Sequence, residues 1–192
     1  MERLFKLLSD AQANLFLLFH KTWVYHWNVV GPDFHQFHTL FGEQYEAIFE
    51  EIDRLSEHMR YLNIRPVGTL TRIVEVSTIG EGTNIVSVDE MGQKTVTIGK
   101  PLSKGTEMIK QLLNDNQILI ELLTEASEEA DVQRSLATAN LLQDLMESHG
   151  KFVWMLRSFT EKAVPQVEEV DIPVEQPPEQ PLEAPQEEVP QQ

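Results

Sequence analysis

Four long stretches in which apolar residues recur at steps of three and four confine this chain to a bundle of α-helices. Over residues 2–29 the stripe is Leu4, Leu7, Leu8, Ala11, Leu15, Leu18, Phe19, Trp23 and His26, and Gly31-Pro32-Asp33 ends it. Over residues 34–63 it is Leu40, Phe41, Ile48, Ile52, Leu55, Met59 and Leu62, with Pro66 and Gly68 as the stop. A third helix is predicted over about residues 104–133 with Ser103 as its cap, and a fourth over about 136–162 capped by Ser135. Between the second and third, residues 69–77 read as a short helix. The pattern then turns to alternation at Asn84-Ile85-Val86-Ser87-Val88 and Lys94-Thr95-Val96-Thr97-Ile98 around Met91-Gly92, which predicts a β-hairpin. The expected fold is all-α, a four-helix bundle whose mid-chain crossover carries a short helix and an insertion at about residues 83–98.

Only residues 1–164 belong to this folded body. Residues 165–192 hold seven prolines and eight acids with no Lys or Arg, too little apolar surface for a core, and read as a disordered tail. Half of the formal net charge of −16 lies there, and the body is acidic as well. Phosphate contacts need clustered Lys and Arg, so direct DNA binding is not expected. Asp10, Gln12 and Asn14 interrupt the apolar residues of the first stretch, which rules out a signal peptide or membrane span there and makes a cytoplasmic protein the expectation.

Cysteine is absent, which excludes disulfides, thiolate nucleophiles and thiolate metal sites and leaves His, Asp and Glu as possible ligands, a set for hard or borderline metals. His26, His38, Asp53 and Glu57 are of these types, and all lie near the apolar stripes of the first two helices. Asp53 and Glu57 are one helical turn apart, and His38 is about 60° from Asp53 around the same helix but roughly 22 Å away along its axis. One chain therefore cannot close a site from all of them. Two chains can, if their second helices run antiparallel across a two-fold axis near Glu46 and Ala47, which sets His38 of one opposite Asp53 and Glu57 of the other. His26 turns back toward His38 across Gly31-Pro32, giving two imidazoles and two carboxylates, a set suited to iron with positions open for oxygen or peroxide. Spacing alone leaves a second reading: a carboxylate pair at this interval is commonly a solvated face, and histidines near helix ends are commonly core or capping groups. His20, His35, His58 and His149 read as structural or surface residues, and the chain contains no Glu-x-x-His for an intra-bundle di-iron site.

The segments His26-Trp27-Asn28-Val29-Val30-Gly31-Pro32-Asp33-Phe34, His38, Phe41, Glu43-Gln44-Tyr45 and Asp53-Arg54-Leu55-Ser56-Glu57 strongly resemble the signature of the Dps mini-ferritins, a branch of the ferritin-like superfamily. Ala137-Thr138-Ala139-Asn140-Leu141-Leu142, Asp144, His149, Lys151 and Trp154-Met155-Leu156-Arg157 resemble that family's closing segment, so the resemblance spans about residues 3–162. It implies a ferritin-like bundle assembled into a hollow dodecameric shell. The shell would act as a ferroxidase, taking Fe(II) to Fe(III) with hydrogen peroxide or oxygen, and would store the ferric mineral. By position, His26 and His38 would be ligands from one subunit and Asp53 and Glu57 from its two-fold mate, with Trp27 beside the site. The pattern departs at Gly42, where the family usually has an acidic ligand; Glu46, two turns beyond His38, is the nearest substitute. The alternatives are a non-enzymatic shell or scaffold whose ferroxidase activity is weakened or lost through Gly42, and a nucleoid DNA-protecting protein. Some family members bind DNA through Lys-rich terminal extensions, and with a first helix predicted from about residue 2 and an acidic tail over residues 165–192 such binding is not expected of this chain.

Overall fold

The computed structural model describes residues 2–82, 85–89, 91–97, 99–100, 102 and 104–160. The predicted tail, the Ser103 cap, Asn84, Ile98 and the end of the fourth helix beyond residue 160 lie outside them. The elements are α1 (Glu2–Asn28), α2 (Phe34–Tyr61), α3 (Leu70–Val76), β1 (Ile85–Val88), β2 (Lys94–Thr97), α4 (Gly105–Val132) and α5 (Leu136–Ser158). The four long helices form the bundle: α1 packs along α2 and α4, and α5 packs along α4 and touches α2. Leu8, Leu15, Phe41, Ile48, Leu55, Met108 and Leu142 meet in one core. None of the described helices is long and apolar enough to cross a membrane.

The helix ends are set by backbone geometry more than by the expected stop residues. α2 finishes at Tyr61, ahead of Pro66 and Gly68, because Asn63 takes a left-handed conformation (φ 60°). Ile64 N then donates to Met59 O at 2.8 Å and Asn63 N to Arg60 O at 3.0 Å, the paired bonds that satisfy the last carbonyls of a helix. α4 ends the same way at Arg134 (φ 57°), with Ser135 N on Ala130 O at 2.8 Å. Ser135 does stand at the N-cap of α5, but its hydroxyl lies 2.7 Å from the Thr138 hydroxyl and caps no backbone N–H. The start of α4 lies directly on α2: a Cβ at Gly105 would stand 2.1 Å from the Phe37 ring, so only glycine fits.

The crossover is tied to the bundle by polar side chains of α1. The Asn14 carbonyl oxygen, fully buried, accepts from Ser77 Oγ and the amides of Thr78 and Ile79 at 2.8–3.0 Å. Gln12 accepts from Val67 N at 2.7 Å and donates to Ser56 Oγ at 3.1 Å. β1 and β2 pair antiparallel in the register Val86↔Val96 and Val88↔Lys94. Asp89 Oδ1 accepts from Met91 N and Gln93 N across the turn, where Gly92 has φ 77°. Lys94 clamps the hairpin to α3 by donating to Glu75 O, Val76 O and Ser77 O at 2.5–2.8 Å, carbonyls left free at the end of that helix.

Two of the expected stripes are corrected by the packing. Phe19 is only half-buried and Trp23 is 36 % exposed, because α1 is buried over an arc shifted toward α4 and taken up by Lys21, Thr22 and Tyr25. Ile52 on α2 and Leu62 just past its end are half-buried, while Gln44 and Glu51 occupy buried positions on the same face as Phe41, Ile48 and Leu55.

Candidate metal centre

His26 lies in the last turn of α1 and His38 in the second turn of α2, and the turn at Gly31 (φ 121°) reverses the chain so that the two rings face each other. They stack with centroids 3.7 Å apart and planes 21° from parallel. Each ring is fixed through the other's backbone: His26 Nδ1 lies 2.7 Å from His38 O, and His38 Nδ1 lies 2.8 Å from His26 O. A carbonyl oxygen only accepts, so each Nδ1 carries a proton, and in a neutral ring so held the lone pair lies on Nε2. This is the arrangement that makes an imidazole a metal ligand, with tautomer and ring orientation set by the bond at the other nitrogen.

The surroundings are aromatic. Phe34 stacks on His38 at 5.0 Å, Tyr45 meets His26 edge-on at 5.2 Å, and Trp27 lies 4.4 Å from Trp23 between ring centroids. The other flank of His26 is closed by Gly42, where an added Cβ would stand 3.3 Å from His26 Cε1. Asp53 and Glu57 are exposed on α2, away from the imidazole pair, and among the described residues no three His, Asp or Glu side chains of one chain come together around a metal position. The chain thus brings His26 and His38 together and leaves Asp53 and Glu57 apart from them.

Beside the imidazoles, between α1 and α2, runs a groove of about 810 Å³ lined by Phe19, Trp23, Tyr45, Ala47, Phe49 and the carboxylates Glu43, Glu46 and Glu50. Trp27 (56 %) and Phe49 (57 %) are more than half exposed on this side. Glu46 and Ala47, the residues near which the spacing argument sets the two-fold axis, lie in the groove itself.

A second polar system, invisible to the apolar pattern, crosses the core. Lys21 on α1 is fully buried and its Nζ lies 2.5 Å from Asp115 Oδ2 on α4; burial pushes the lysine pKa down and the aspartate pKa up. Tyr25 donates to Gln111 Oε1, and burial raises its pKa. His149, expected to be structural or at the surface, is wholly buried: its Nδ1 lies 2.6 Å from Asn116 Oδ1 and its Nε2 2.9 Å from Glu51 Oε2. His58 lies 2.8 Å from Thr138 Oγ1, and burial lowers its pKa. Of these, Lys21 and Asp115 had no signal in an apolar-periodicity reading, since a charged residue between apolar ones scores as a surface position.

The ferritin-like domain model matches residues 5–164. An uncharacterized low temperature-induced protein of Nostoc is 33 % identical over 156 residues, covering 81 % of this chain and 78 % of that one. The DNA protection during starvation protein of Brevibacillus brevis is 32 % identical over 155 residues, covering 81 % and 93 %. The crystal structure of a Dps protein from Bacillus brevis superposes with a TM-score of 0.71 at 31 % identity, covering 83 % of this chain and 96 % of that one.

Proposed function

Because this chain belongs to the ferritin-like family and, within it, to the DNA-protection-during-starvation (Dps) proteins, we propose that it is a mini-ferritin that binds ferrous iron, oxidises it at sites shared between two subunits, and stores the ferric product inside a closed homo-oligomer, a dodecamer. The observation that carries this reading is the stacked imidazole pair, each ring held through its Nδ1 by the other residue's backbone carbonyl. His26 and His38 supply two neutral nitrogen ligands, and Asp53 and Glu57 of a second subunit supply two anionic oxygens, a mixed set with affinity for both oxidation states of iron. Iron is the substrate: each hydrogen peroxide accepts one electron from each of two ferrous ions, and oxygen is the alternative acceptor. The aromatic groove supports the shared site, since a second copy seated there would cover Trp27 and Phe49 and bring its own α2 across Glu46 and Ala47.

Gly42 favours a second reading, a shell with weakened or absent ferroxidase activity, because it offers no carboxylate to a second iron beside His26. One experiment addresses both. His38→Ala and Asp53→Ala variants are each expected to lose peroxide-driven iron oxidation. When the two are unfolded together and co-assembled, a mixed dimer has one site with both defects and one with neither, so activity is expected to return at about half of the sites in mixed dimers. No recovery despite proven subunit mixing rules out the shared site, and an inactive unaltered protein establishes the shell reading.

A further inference from the structure

Among the described residues, Gln44 is the side chain with both polar atoms buried and neither hydrogen-bonded. It is fully enclosed within the chain, so a copy docking from outside reaches neither atom. The ring contacts of Tyr45 with Phe19 and Trp23 set Gln44 at the level of Lys21 and Thr22 on α1. Lys21 pairs with Asp115 on α4, and the next residue, Asn116, holds His149 of α5. Each of the four long helices thus contributes a buried polar group at mid-bundle. Two turns along the same face of α2, Glu51 Oε2 and His149 Nε2 approach to 2.9 Å, yet their alignment falls short of a hydrogen bond and both atoms are left without one. Four orphaned atoms therefore lie along one strip of the core.

A carboxamide offers two N–H donors and two lone pairs, and Lys21 has two N–H groups beyond the one directed at Asp115. Buried polar groups in folded proteins are nearly always paired, and where no protein partner is in reach ordered water takes its place, making two to four bonds. We propose that the middle of this bundle holds internal water, bound by the Gln44 amide and continuing to the Glu51 and His149 pair. Asp115 also lines an open cleft of about 610 Å³ beside α4.

The test uses the assembled full-length protein. A high-resolution crystal structure is expected to show water at about 2.7–3.2 Å from Gln44 Nε2 or Oε1. The Gln44→Met variant keeps the length of the side chain and removes its amide. With water present, that water loses partners and the melting temperature is expected to fall by roughly 2–4 °C or more. In a dry layer the same change removes an unpaired amide and the melting temperature rises. An empty layer in the crystal, or a rise in melting temperature, overturns the proposal; should the variant fail to assemble, the crystal structure of the unaltered protein decides.

Discussion

Gly42 faces His26 in the turn of α2 that follows His38, so its missing side chain acts on the candidate site twice. It leaves one side of the imidazole pair without a carboxylate, and it allows the His26 ring to lie against the helix, where a Cβ would be 3.3 Å from Cε1 and 3.4 Å from Nδ1. Those distances are tight but not prohibitive, and a ring held by one hydrogen bond and one stack can give by a few tenths of an ångström. Gly42→Glu is therefore expected to cost about 1–2 kcal/mol through overpacking, offset in part by the removal of a helical glycine. It is also expected to add a second ferrous equivalent per site and to speed oxidation. Calorimetric titration with ferrous iron under anaerobic conditions measures the first and stopped-flow absorbance the second. If binding stays at the level of the unaltered protein, the missing carboxylate is not what limits the site.

The elements were readable to the extent that they bury apolar residues, and Lys94 marks where that signal stops. The four helices, the short helix and the hairpin stand where the three-and-four and two-residue periods predict them. α2 ends within two residues of the expected Asn63, and what sets its end is Asn63 adopting φ 60°, a backbone state that Pro66 and Gly68 only follow. Trp23 falls in the apolar stripe of α1 yet is 36 % exposed, because an apolar residue at the edge of a stripe looks the same whether it meets its own bundle or lies beside a groove. Gln44, Lys21 and Asp115 are buried but give no such signal, because a polar residue within an apolar stripe reads as a surface position. At the candidate site the approach of His26 to His38 was legible in the short Gly31-Pro32 connection, whereas the crossed Nδ1 bonds depend on ring orientation and were not. Lys94 alternates correctly in β2, but nothing in the alternation says that it reaches three carbonyls of the α3 terminus. Lys94→Met is expected to loosen the hairpin alone: amide exchange over residues 85–97 should quicken while α1 and α2 keep their protection and iron oxidation is unchanged. Equal loss of protection in the bundle helices would mean that the hairpin is part of the cooperative core.

For the whole molecule, the acidic surface and the aromatic groove pull in opposite directions. A chain of net charge −16 repels its copies, so an assembly must gain enough from apolar burial to offset that repulsion at close range. Phe49, Trp27 and Trp23 are the means available between α1 and α2, and burying a side chain of this size contributes about 1.5–3 kcal/mol. A two-fold axis counts each of them twice. The same groove holds Glu43, Glu46 and Glu50 beside the aromatic rings, so added salt should strengthen association by screening like charges. Phe49→Glu places a further carboxylate where the partner would pack, once from each subunit. It is expected to shift the protein from the large oligomer to smaller species in light scattering. Iron oxidation should fall in parallel, although His26, His38, Asp53 and Glu57 are all intact and circular dichroism remains that of a folded helical protein. Activity that survives in a monomer would place the whole reaction within one chain and remove the reason for a shared site. Loss of activity with the oligomer unchanged would separate the groove from assembly.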